Sequence, residues 1–305
     1  MKIYAPKYYK AFKCTADACS HSCCMGWEID VDADFMRKYA ACTAPYAGEI
    51  LSSIDMSETP HFRLLEDERC PHLDDTGLCR IIRNLGEEYL TDICREHPRF
   101  YVDTIRRKEV GIGASCEEAC RLILTSDMYD VFEEIGEVPD EPVETEGNFD
   151  AGFHRTRIYG ILSDDTVLYP KRLEKISSEY GVTPRLLSDD EWREELSGLE
   201  YLKAAHKQWF SAYSSDLSTP SEDEKLLERA LAYFIFRHCS GAREENEFRL
   251  FLGFCLFMER LFSSLIKFGE ANTLSDRIKL LRTVSEEIEY SEENTEKIKT
   301  VFAFI

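Results

Sequence analysis

Along the chain, apolar residues recur at helical spacing most clearly after residue 220. Leu226, Leu227, Ala230, Leu231, Phe234 and Ile235 fall on one helical stripe. Residues 247–268 carry a denser apolar set, which predicts a helix buried on most sides. Residues 273–289 and 292–304 give two further amphipathic segments. No proline occurs after Pro220, as uninterrupted helices require. The first 130 residues read differently. Residues 29–34 predict an extended stretch, with Asp32 or Asp34 as the N-cap of a helix that starts at Phe35 and breaks near Pro45. Residues 62–65 and 77–81 predict two short strands around a loop, followed by a helical turn or two over 82–90. A second strand pair is expected around Arg106, Arg107 and Lys108, and a helix over 116–132. Between the two regimes, residues 131–150 hold eight acids, no Lys or Arg, and Pro139 and Pro142, the composition of an exposed connection. The expected architecture is mainly α. It has a small cysteine-rich α+β domain over 1–130, an acidic linker over 131–150 and a helical domain over 151–305.

Composition sets the class. A chain of 305 residues with 44% hydrophobic content can build cores. Its densest apolar run, residues 250–258, is far short of the ~20 residues of a membrane span. The first residues lack the apolar stretch of a secretion signal. A soluble, cytoplasmic protein without a membrane partner is therefore expected. With 37 basic and 58 acidic residues the net charge is -21. This repels phosphate backbones and argues against nucleic-acid binding. A solvated acidic surface is the default reading, and a basic protein substrate is compatible with it.

The cysteines change the picture most. Of 12, only Cys239 and Cys255 lie beyond residue 120. A chain without a secretion signal keeps its thiols reduced, so the clustering points to a metal or an iron–sulfur cluster. Cys14, Cys19, Cys23 and Cys24 form a first group, Cys70, Cys79 and Cys94 a second, and Cys116 and Cys120 a third. Zinc would accept four of these, with His21, His72 or His97 as possible substitutes. Paired C-x2-C modules are absent, and intervals of four, three and eight residues fit an iron–sulfur cluster at least as well. The C-x3-C-x2-C triad of radical S-adenosylmethionine enzymes is also missing, since Gly26 and Ile123 stand where its third cysteine would fall.

Phe12-Lys13-Cys14, Ala18-Cys19, Cys23-Cys24-Met25-Gly26-Trp27, Cys70-Pro71-His72-Leu73, Gly77-Leu78-Cys79, the run from Leu85 to Leu90, Cys94 and His97-Pro98-Arg99 together resemble the flagellin lysine-N-methylase family. The resemblance continues through Ser115-Cys116-Glu117 and reappears from Tyr233 to Arg237 and His238. Cys116-Glu117-Glu118 departs from the family's Cys-Pro-Glu, and Cys120 and Cys42 stand outside the shared pattern. The resemblance implies an S-adenosylmethionine-dependent protein-lysine N-methyltransferase acting on flagellin. It also implies a [4Fe-4S] cluster held by Cys14, Cys19, Cys23, Cys24, Cys70, Cys79, Cys94 and Cys116 or a subset of them. The rival readings are a zinc-stabilised binding module without catalysis and an iron–sulfur accessory protein.

No catalytic or donor-binding residue can be read from the sequence. Gly111-Ile112-Gly113 lacks the third glycine of a phosphate loop and reads as a turn. Tyr4, Tyr8 and Tyr9 read as packing aromatics, Trp27 as cover beneath the cysteine loop, His21 as a surface-loop residue and Arg99 as the partner of a buried acid. His238 and Cys239 read as helix core or cap, Cys255 as a small buried apolar group and Cys42 as a free thiol.

Overall fold

The computed structural model describes residues 1–57, 59–139, 149–183, 186–216, 222–269 and 271–303. The chain opens with strand β1 (Lys2–Pro6). It then forms α1 (Ala33–Ala41), α2 (Pro45–Ser52), the short strands β2 (Ile54–Asp55) and β3 (His61–Phe62), α3 (Arg80–Leu85) and α4 (Asp92–Glu96). Strands β4 (Arg99–Asp103) and β5 (Lys108–Ile112), helix α5 (Glu117–Thr125) and strand β6 (Phe132–Glu137) follow. The rest is helical: α6 (Ala151–Leu162), α7 (Tyr169–Tyr180), α8 (Asp189–Ser197), α9 (Ala204–Phe210), α10 (Glu224–Cys239), α11 (Glu245–Phe268), α12 (Leu274–Val284) and α13 (Glu292–Phe302). The protein is mainly α with small sheets.

Two compact units result. The smaller is Lys13–Pro98; the larger joins Met1–Phe12 to Arg99–Ile305. This division differs from the expected boundary at residue 130, and the reason is the sheet. β1 lies between β5, to which it is parallel, and β6, to which it is antiparallel, in the order β4-β5-β1-β6. Ile3 stands opposite Lys108, and Pro6 opposite Phe132. The first and last parts of the expected cysteine-rich domain therefore belong with the helices. The expected linker is partly ordered too. Glu133 and Glu134 sit in β6, where Lys10 and Lys2 pair with them at 2.7 and 2.6 Å; residues 140–148 lie outside the described residues.

In the smaller unit the Asp32 carboxylate accepts from the amides of Asp34 and Phe35, so Asp32 caps α1. Pro45 occupies the first turn of α2, where its missing N–H costs nothing. The two expected strands shrink to β3, which pairs with β2, and to a single bridge between Leu73 and Cys79. Asp74 is the cause. Its Oδ1 accepts from the amides of Thr76 and Leu78 at 2.8 and 3.0 Å, which curls the segment into a turn closed by Gly77 at φ +78°. Ile29, Val31, Phe35, Tyr39, Ile50 and Phe62 are buried in this unit's own core.

In the larger unit α10 lies on the sheet, with Phe236 5.1 Å from Phe100 and 5.0 Å from Phe132 between ring centres. α11 spans the unit's core, and Phe254, Phe257, Phe262 and Leu261 along it are fully buried. The expected helix over 116–132 ends at Thr125, because Ser126 turns extended and the chain moves into β6. The segment 273–289 is α12 followed by a π-helical turn, Ser285–Glu289. β5 brings in a buried carboxylate, Glu109, which Arg155 of α6 meets through Nη1 and Nη2 at 2.6 and 2.7 Å. Burial would raise the Glu109 carboxyl, but Arg155 and Arg107 outweigh it and hold the group below the ordinary range.

Replacing Arg155 with Met should therefore destabilise the larger unit by about 3–5 kcal/mol, since it strands a buried charge. The double replacement of Arg155 with Met and Glu109 with Leu should cost less than Arg155→Met alone. Denaturant midpoints of the full chain check both; equal losses in the two variants would contradict the pairing argument.

Candidate metal centre

Seven of the eight candidate cysteines lie in the smaller unit; Cys116 stands at the N-cap position of α5 in the larger one. Backbone pairing organises the seven. Cys70 N donates to Cys24 O at 2.8 Å, and Gly26 N donates to Glu68 O at 2.9 Å. These bonds place the 23–27 segment beside the 68–70 segment, and Gly26, at φ +79°, supplies the left-handed residue that this turn requires. Leu73 N returns to Cys70 O at 3.0 Å and Arg80 N to His72 O at 2.7 Å, so the Asp74 turn carries the chain back to Cys79 at the start of α3. Cys94 sits in α4.

The electrostatics show which thiols are neighbours. Burial pushes Cys70 up to about 12, and the charges of Cys24, Cys94 and Cys79 push it the same way. Burial raises Cys94 to about 11, with Cys24 and Cys79 adding to it. Burial raises Cys79, against the amides of Ile82 and Ile81, and Cys24 and Asp74 reinforce the rise. Cys24 moves the other way. A hydrogen bond from the Cys23 thiol lowers it to about 7 against burial, and the Ser22 hydroxyl assists. Cys24, Cys70, Cys79 and Cys94 thus stand within electrostatic reach of one another, with Cys23 attached through Cys24. Cys79 and Cys94 also pack against the small core, as does Trp27.

Cys14 is exposed, its sulfur accepting from Ala16 N at 3.4 Å. Cys19 follows the short turn Ala16–Ala18. Cys42 hydrogen-bonds to Tyr89. Cys239 and Cys255 are buried 3.7 Å apart in the larger unit. Among the described residues no three Cys, His, Asp or Glu side chains are close enough, as they stand, to grip one ion. In donor chemistry the quartet still fits a thiophilic centre. All four groups are sulfur, and a bound cation reverses both the burial penalty and the mutual repulsion that keep them protonated. His72 is not available to such a centre. Tyr46 Oη engages its Nδ1 at 2.8 Å and Ser53 Oγ its Nε2 at 2.9 Å, and burial lowers it to about 4.

Other expectations resolve differently. Gly111 is not in a turn or a phosphate loop but inside β5, where a Cβ would run into the rings of Phe100 and Phe236. Arg99 stacks near Tyr9 and Phe12 and donates to Tyr9 Oη at 2.9 Å. His238, read from sequence as core or cap, donates to Glu289. That carboxylate was not singled out in the sequence, because only the π-helical turn after α12 brings it to α10.

The chain is similar to curated proteins of Salmonella. Over 129 residues, 40% of this chain, it is 29% identical to the flagellar biosynthetic protein FliU of Salmonella muenchen, covering 76% of that protein. Two proteins named lysine-N-methylase, from Salmonella typhimurium and Salmonella choleraesuis, show the same identity over the same length. The chain resembles the flagellin lysine-N-methylases. It spans about a third of the length of the two methylases, 32% of each. No family model and no solved structure matches the chain. None of its described helices is long and apolar enough to cross a membrane.

The thiols differ enough for a direct chemical check. In metal-free protein at pH 7, with Cys24 near 7 and Cys94 near 11, about half of Cys24 is thiolate against roughly one part in 10⁴ of Cys94. Limited alkylation followed by peptide mass spectrometry should label Cys24 well ahead of Cys70 and Cys94. From pH 7 to 9 its rate should level off, while that of Cys94 keeps rising. Equal labelling at pH 7 would remove Cys24 from its special place.

Proposed function

We propose that this chain is an S-adenosylmethionine-dependent protein-lysine N-methyltransferase acting on flagellin, with a [4Fe-4S] cluster in its smaller unit. The observation that carries the reading is the similarity to two proteins named lysine-N-methylase and to a flagellar protein. The gathering of four thiols in the smaller unit supports it. A [4Fe-4S] cluster takes about four thiolates, so Cys24, Cys70, Cys79 and Cys94 are the ligands we assign from the eight candidates. Cys23 then tunes Cys24 through its hydrogen bond, and Cys14, Cys19 and Cys116 are dispensable for cluster binding. When bound, such a cluster supplies either a structural tie or a contact to the sulfonium donor. For methyl transfer, the chain must hold a lysine amine in its neutral form in line with the methyl sulfonium, away from water. Below the ordinary lysine value near 10.4, each pH unit gives about ten times more neutral amine, so the rate should climb with pH.

Anaerobically purified protein should contain iron and sulfide. Serine at Cys24, Cys70, Cys79 or Cys94 should remove most of the iron, and serine at Cys42 or Cys255 none. Stoichiometric zinc without iron would replace the cluster with a zinc site. Incubation with unmodified flagellin and labelled S-adenosylmethionine, with and without a reductant, should place label on flagellin lysines by mass spectrometry. An intact metal centre with no label under either condition would favour a non-catalytic binding module. Dependence on the reductant would give the cluster an electron-transfer role.

A further inference from the structure

The larger unit carries a cleft of about 420 Å³ whose use nothing above assigns. Its floor is ionic and buried. The Glu289 carboxylate, with no exposed side-chain surface, accepts from His238 Nε2 at 2.7 Å and Tyr233 Oη at 3.1 Å and forms an ion pair with Arg237, whose Nε lies 3.3 Å away. Burial would raise the Glu289 carboxyl, but Arg237 and His238 hold it below the ordinary range. The π-helical turn Ser285–Glu289, closed by Tyr290 N donating to Ser285 O at 3.2 Å, delivers this carboxylate. Such turns are rare and concentrate at functional sites. The β4 side of the cleft is lined by Phe100, whose ring Arg237 covers, and by Tyr101, which is 57% exposed. The opposite rim is α13, with Glu292 and Glu296 exposed.

The charge balance selects the ligand. Three carboxylates and two cations line the cleft, and burial favours the neutral form of His238, so the lining carries a surplus negative charge. Both cations are already engaged. Arg237 is paired with Glu289 and lies over the rings of Phe100 and Tyr290, at 5.0 and 4.7 Å. Lys299 is paired with Glu296 at 3.2 Å and lies over the ring of Phe251 at 4.7 Å. An anion would find neither cation to itself. A cation on a methylene stem fits both halves of the site, the stem along the exposed Tyr101 and the head at the carboxylates. The volume lies in the range of small-ligand clefts.

We propose that this cleft binds the side chain of a substrate lysine, its methylenes against Tyr101 and its ammonium at Glu292 and the exposed Glu296. The proposal deepens the lysine-methylation reading and rests on it for the identity of the cation. The test uses the full chain, with Nα-acetyl-lysine methylamide as the probe and the norleucine analogue, which lacks the amine, as the control. The lysine probe should shift NMR signals of Tyr101 and His238 saturably, and the norleucine analogue should not. The variant carrying Glu292→Gln and Glu296→Gln changes exposed side chains and gives up one exposed ion pair, that of Glu296 with Lys299, so it should melt close to the parent, while its affinity for the probe falls roughly fivefold or more. Equal shifts from norleucine, or unchanged affinity in the double variant, would overturn the proposal. Displacement of the probe from these signals by S-adenosylhomocysteine would reassign the cleft to the methyl donor. The two readings fail separately. Flagellin methylated at full rate by the double variant overturns the lysine cleft alone. Probe binding without methyl transfer by metal-loaded protein overturns the activity and keeps the cleft.

Discussion

Strand β1 is hydrogen-bonded along both edges, by β5 on one side and β6 on the other, so the first residues of the chain end up inside the sheet of the larger unit. A strand in that place satisfies its backbone groups only when segments more than a hundred residues later have arrived. The rest of the architecture follows. The chain must leave this unit after Phe12 and return at Arg99, and the interval between them folds around its own core. Arg99 Nε donates to Tyr9 Oη at 2.9 Å, tying the point of return to the point of departure. Glu109, opposite Tyr4 in the β1–β5 register, is buried by the sheet and α10 and is met by Arg155, which fixes α6.

The smaller unit has only short elements and a modest core. Its thiols are half-buried or buried where they meet, and both desolvation and mutual repulsion oppose their ionisation. Cys24 is the exception, because Cys23 donates to it and makes it the readiest thiolate. In such an arrangement ionising the thiols is costly without a cation and favourable with one. In the reading proposed for the protein, metal binding and the order of this unit are thus one event. The same logic excludes His72, whose two nitrogens are consumed by Tyr46 and Ser53 inside the core.

The acidic balance of the chain is more than a solvated coat. In the larger unit several carboxylates are buried, each with a partner that holds its charge. Glu228 meets Arg172 at 2.8 Å and Lys225 at 2.9 Å, and Glu259 meets Arg260 at 2.8 Å. Glu287 accepts from Leu202 N at 2.8 Å and pairs with His206, and Glu289 gathers Arg237, His238 and Tyr233. An unpartnered carboxylate in such a place would disrupt the packing; Arg172 and Tyr169 of α7, meeting Glu228 of α10 and Glu259 of α11, tie helices to one another. At the cleft beside Glu289 such a network meets acids that remain in water, as it does where Lys225 joins Glu228 to the exposed Asp165.

The sequence by itself determined what depends on near neighbours. Helical spacing marked α10, α11, α12 and α13, a side-chain oxygen at Asp32 marked the start of α1, and the crowding of cysteines before residue 121 marked a metal centre as the chemistry to look for. These signals are local, since a helix repeats every 3.6 residues and a cap acts within one turn. Only the tertiary structure decided that β1 lies inside the sheet and that the cysteine-rich unit is bounded by Lys13 and Pro98. It also decided that Cys24, Cys70, Cys79 and Cys94 are neighbours while Cys116 stands at the start of a helix of the other unit. Glu289 reached His238 in the same way, across 51 residues of chain. Each of these outcomes pairs groups far apart in sequence, through strand register, backbone turns and burial that no local pattern encodes, because the partner is chosen by the whole fold at once.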